Sequence, residues 1–144
     1  MKKLILLIVI FYPFSANSLE KTKEEKIAKY IIQNIQKDYV TCYSFYKVSA
    51  EVFKKAKKNK EMIKSLEKSA DITLKFNYDL GEVLNLKPKY MAQTTKVKVE
   101  KFAKIAKNDF QSLAKKHGLM CKKLVENQKQ RIDYWEVKGN KKIK

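Results

Sequence analysis

The chain is poor in the residues that build metal and nucleophilic sites: it has a single histidine, His117, and two cysteines, Cys42 and Cys121. A structural zinc site takes four nitrogen or sulfur ligands, so these three would need a carboxylate to complete the set. Covalent haem attachment needs Cys-x-x-Cys-His and a di-iron bundle needs Glu-x-x-His pairs; neither occurs here. With three glycines in all, there is no glycine-rich phosphate loop. A nucleophilic enzyme needs a base beside its serine or cysteine, and His117 is the sole imidazole. No cofactor and no catalytic residue is expected. Asp38 and Asp109, both close to apolar faces, could pair as acids, but capping or solvation at an edge accounts for each more simply.

Arginine is nearly absent as well. Lys and Arg total 33 against 15 Asp and Glu, giving a formal charge of +18, and only Arg131 is arginine, so 32 are lysine. Sites that read phosphate or base edges favour the bidentate guanidinium. An almost pure lysine excess therefore argues against nucleic-acid recognition and leaves anionic surfaces or acidic proteins as partners.

The N-terminus, MKKLILLIVIFYPFSANSLE, joins two lysines to an apolar run from Leu4 to Phe14 and then to small polar residues, with Ala16 and Ser18 placed for cleavage before Leu19. This pattern reads as a signal peptide at 1–18. The run is too short for the roughly 20 apolar residues of a membrane span. Export, periplasmic or secreted, is the expected localisation, with no transmembrane segment after cleavage. Loss of Lys2 and Lys3 lowers the formal charge from +18 to +16.

What is present is helical pattern. Residues 19–136 read as one all-α domain, a small antiparallel bundle, and 137–144 as a flexible basic tail. Thr22 opens a capping box with Glu25, and Ile27, Ile31, Ile35, Tyr39, Cys42, Phe45 and Tyr46 fall on one helical face centred on Cys42. KKNK at 57–60 makes a turn with Asn59 as the next N-cap. Pro88 ends the second helix and starts the third. The third helix breaks at Asn108-Asp109, with Asp109 capping a fourth, or stops at Gly118.

The stretch HGLMC at 117–121 sets two ligand types one helical turn apart, yet in an oxidising compartment the simpler fate of Cys121 is a disulfide with Cys42. Geometry then constrains the fold. An unbroken third helix leaves the cysteines about 25 residues apart along the bundle, near 37 Å at 1.5 Å per residue, whereas a disulfide needs Cα atoms within about 7 Å. A break at Asn108-Asp109 brings the offset close to zero. Four short helices stapled Cys42 to Cys121 are favoured; a long two-helix hairpin without the turn at 59 also satisfies the distance.

The densest aromatic patch, YVTCYSFY at 39–46, puts Tyr39, Phe45 and Tyr46 in the core and Tyr43 towards solvent. Tyr43 with Arg131, Tyr134 and Trp135 forms the candidate interaction surface, although Trp135 is also placed to fold back as an apolar plug. DYVTCYSFYKVSAEVFKK at 38–55 and LAKKHGLMCKKLVENQKQRIDYW at 113–135 together resemble a loose group of small secreted two-cysteine helical proteins of bacteria and their phages that has no established function. The resemblance implies a paired-cysteine bundle and adds nothing about chemistry. The leading expectation is an exported, non-catalytic interaction protein of the cell envelope with a protein partner. The alternative is a cationic binder of anionic envelope lipid or polymer; a small-ligand carrier or an enzyme ranks below both. Sequence leaves the oligomeric state open.

Overall fold

Cap residues set most of the helix boundaries. In the computed structural model, which describes residues 22–143, helix α1 spans Lys23–Lys55, α2 Lys60–Val83, α3 Pro88–Glu126 and α4 Gln128–Lys142. The expected signal peptide at 1–18 lies outside the described residues. The Thr22 hydroxyl accepts the Glu25 N–H at 3.2 Å and the Asn59 side chain accepts the Glu61 N–H at 2.7 Å, each satisfying one of the free donors of a helix start. Both α1 and α2 end in Schellman motifs. The Lys58 N–H reaches the Phe53 carbonyl and the Leu86 N–H the Gly81 carbonyl, with Lys57 (φ 49°) and Asn85 (φ 55°) in the left-handed conformation this closure requires.

Asp109 breaks α3, as the spacing of the cysteines demands. Its backbone is extended (φ −154°, ψ 82°) and its carboxylate accepts the Ser112 N–H at 2.8 Å, capping the second arm. The chain folds back there: the Phe102 and His117 rings, seven residues before and eight after Asp109, lie 4.8 Å apart. Gly118 is not a stop, since helix continues to Glu126.

Contacts along α1 fix the topology. Tyr39 stacks on Phe76 of α2 at 5.1 Å, so α2 runs antiparallel to α1. Phe53 meets Phe110 at 5.7 Å and Cys42 bonds to Cys121 (S–S 2.13 Å, Cα–Cα 5.2 Å). Asp38 meets Arg131, and Tyr30 meets Trp135 at 6.1 Å. The segment 110–142 therefore descends the whole length of α1. This is an up-down-up-down, all-α four-helix bundle whose fourth arm is bent at Asn127. The bend is needed, because in one straight helix residues 121 and 131 would lie about 15 Å apart, while their partners 42 and 38 are about 6 Å apart along α1.

Two features depart from the periodic reading. The middle of α1 is buried well beyond one face: Ser44 is 0% exposed, and Val40 and Val48 are buried with it although they point away from Cys42. Three arms wrap this helix, so its small and β-branched residues pack as core too. A buried polar layer ties three arms together, with Gln36 donating to the Asn77 carbonyl oxygen at 2.7 Å and Asn77 donating to the Thr95 hydroxyl at 3.2 Å. The second departure falls in the segment 137–144, expected as a flexible basic tail. Helix α4 continues to Lys142, because Gly139 is buried against Tyr30 and Ile27 of α1 and the Lys142 ammonium sits 5.2 Å over the Tyr30 ring.

Candidate functional site

The tight closure after α2 shapes a broad concavity. The Schellman turn at Leu84–Leu86 and the helix start at Pro88 bring two leucines and Tyr90 back over α1, leaving a groove of about 660 Å³ between α1 and the 88–108 arm. Its walls are Val40, Leu84 and Leu86, with Gln36 held in place by Asn77. Lys29, Lys37 and Lys98 line it and no carboxylate does. Tyr90, 58% exposed, is also part of its lining. Lys98 titrates below the usual lysine value, chiefly through burial and then through the charges of Lys101 and Lys116. Three ammonium groups, hydroxyl and amide hydrogen-bonding groups and an apolar wall can bind and orient an acidic, partly apolar chain segment; the lining holds no imidazole, thiol or carboxyl to exchange protons with it.

The expected interaction surface is not one surface. Arg131, Tyr134 and Trp135 are together on α4, with the Arg131 guanidinium 4.3 Å from the Tyr134 ring centre and 4.9 Å from that of Trp135. Arg131 and Trp135 nonetheless turn inward. Arg131 gives Asp38 two hydrogen bonds, at 2.6 and 3.2 Å, and the Trp135 indole N–H gives it a third at 2.6 Å. Burying this carboxylate is tolerable because it is charge-paired and triply bonded. Trp135 is thus the plug the sequence allowed for, with a polar anchor, and Tyr134 is left outside at 43% exposure. Tyr43 lies elsewhere, half-buried against α2; its phenol is pushed up by burial and by Asp71 and Tyr78.

Cys42 and Cys121 are joined, which settles the use of the HGLMC cysteine. His117, one turn earlier, packs on Phe102, and its pKa is lowered by burial and by Lys116 and Lys98. Asp38 and Asp109 do not meet: one holds Arg131 and the other caps a helix. Among the described residues no three His, Cys, Asp or Glu side chains gather as a metal site, and no helix is long and apolar enough to cross a membrane. The groove went unread in the sequence. Lys29, Lys37 and Lys98 occupy helix positions that look solvated, and the usable signal was an apolar pair, Leu84 and Leu86, straddling a left-handed Asn85.

The class of protein defined by these features is a disulfide-stapled, all-α four-helix bundle with a lysine-lined groove. Comparison with protein families, with characterised proteins and with solved structures finds no match for the chain.

Proposed function

We propose that the chain is an exported, non-catalytic binding protein of the cell envelope, which takes an acidic segment of a protein partner into the groove between α1 and the 88–108 arm. The observation that carries this reading is the lining of that groove, with Lys29, Lys37 and Lys98 around Val40, Leu84 and Leu86 and no carboxylate among them. Charge complementarity selects the occupant's sign, and the apolar wall favours a peptide with hydrophobic side chains over a bare polyanion. Export rests on the N-terminal pattern and agrees with a disulfide that a reducing compartment would not preserve.

The test is crosslinking from the groove. A photoreactive residue at Tyr90, with another at Tyr43 as control, is exposed to envelope extract at about 0.05 M and about 0.5 M salt, where screening differs strongly. A discrete protein crosslinked from position 90 and not from 43, retained at the higher salt and weakened by K29Q/K37Q, is the expected result. Recovery of lipid or polymer alone, lost at the higher salt, would instead favour the cationic surface reading, in which the lysine excess binds anionic envelope material.

A further inference from the structure

A second acid-free hollow lies in the fold of α3 itself. Where the chain reverses at Asp109, Lys98 and Lys101 of the first arm face Lys116 and His117 of the second across a cleft of about 230 Å³, backed by Phe102. That is room for a tetrahedral oxyanion and several waters of about 30 Å³ each. None of the three lysines forms an ion pair among the described residues. The carboxylate at the hairpin tip, Asp109, accepts the Ser112 N–H as a helix cap. The Lys98 ammonium is 5.4 Å from the centre of the Phe102 ring, and the His117 ring packs on the same phenyl at 4.8 Å, so the cluster has a fixed apolar backing.

We infer that this cleft between the two arms of α3 binds a phosphate group, with Lys98, Lys101 and Lys116 supplying the charge and His117 an imidazole N–H. Like charges converge there with no carboxylate in the lining to offset them: burial first, and then Lys101 and Lys116, pull Lys98 down, and burial, Lys116 and Lys98 pull His117 down. A bound anion reverses that repulsion. Lysine binds phosphate as a point charge without demanding fork geometry, so a site made of ammonium groups is chemically adequate. The phosphate can come free in solution or on a lipid headgroup. This inference does not rest on the groove reading: of the two concavities Lys29 and Lys37 line the groove alone and Lys101 and Lys116 the cleft alone, with Lys98 shared between them.

The experiment follows the His117 ring by NMR in the oxidised protein. One arm adds inorganic phosphate against chloride at matched ionic strength; the other adds phosphatidylcholine vesicles with and without phosphatidylglycerol. The variants are K101Q/K116Q, K29Q/K37Q and the turn control K57Q/K58Q. We expect a saturable shift of the His117 resonances and a rise of its pKa with at least one probe, weakened about tenfold or more in K101Q/K116Q and unchanged in the other two. Response to phosphate identifies a soluble ligand, and response only to the anionic vesicles identifies a headgroup. The inference is overturned by no saturable response to either probe, by an undiminished response in K101Q/K116Q, or by a loss that follows K29Q/K37Q.

Discussion

Asp38 accepts three hydrogen bonds from a helix that begins ninety residues later, and the chain's single arginine supplies two of them. A planar fork matches a carboxylate in a way an ammonium cannot. The two side chains are only 12% and 23% exposed, so Asp38→Ala leaves a half-buried cation without its partner and should cost about 3 kcal/mol in urea unfolding. Arg131→Lys, which keeps the charge but not the fork, should lose about half as much. Trp135 is the only tryptophan, so its emission reports the docking of α4 directly; a red shift of native Asp38→Ala is expected. Lys57 carries a different strain, a left-handed backbone at a position where a Cβ costs about 1 kcal/mol. Lys57→Gly should therefore stabilise the protein by about 0.5–1 kcal/mol, and an unchanged midpoint would refute that account of the turn. His117 sets a pH dependence. Its folded pKa lies below the ordinary 6.5, so the unfolded chain binds more protons between the two values and stability falls as pH drops through that window. Lys98, Lys101 and Lys116 face it from both arms of α3. His117→Gln should flatten this part of a melting-temperature profile taken from about pH 7.5 to about pH 5.

At the scale of the helices, the sequence was most legible where a single side chain does local work. Thr22, Asn59, Pro88 and Asp109 each start an arm because a cap or a fixed φ acts within four residues, a range that sequence spacing resolves. The Asp109 break was inferred from a distance condition on two cysteines, and a long-range constraint of that kind is rare in one sequence. What could not be read was how many neighbours a helix would have. Ser44 and Val48 look like the back of an amphipathic helix until a third arm covers them. The fate of α4 was hidden for a related reason: its composition is polar, and it is held by the Asp38 anchor, by Ile132 and Trp135 packed on the core and by the close approach of Gly139, not by a long apolar stripe. The lysines of the groove and the cleft are indistinguishable by spacing from Lys57 and Lys58 in an exposed turn. Close approach between arms is equally invisible. A Cβ on Gly81 would fall inside the Met91 thioether where α2 and α3 converge. Gly81→Ala should thus cost about 1–3 kcal/mol from overpacking, although alanine is the better helix former by about 1 kcal/mol. If the clash is the cause, Met91→Ala in the same chain should recover part of the loss, so that the two changes are strongly non-additive.

Over the whole molecule two terms oppose each other. A formal charge of +18 on 144 residues favours expansion, and the surface ion pairs are too exposed to offset much of it; the Lys129–Asp133 pair, for example, is 79% and 51% exposed. Against this stands the disulfide, which joins the middle of α1 to the 110–126 arm across a sequence separation of 79. Closing a loop of that length removes enough freedom from the unfolded chain to stabilise the fold by about 4.5 kcal/mol on the chain-entropy model. Each term predicts something about the other. Cys42→Ala/Cys121→Ala should lower unfolding stability by about 4–5 kcal/mol in low salt. Because the uncrosslinked chain is then free to expand under its own charge, raising salt to about 0.5 M should recover more stability in the variant than in the oxidised protein. Salt-dependent melting of both forms checks this. Equal salt increments in the two would mean that the covalent tie does not act against charge repulsion, and that its contribution lies in packing around the Cys42–Cys121 layer alone.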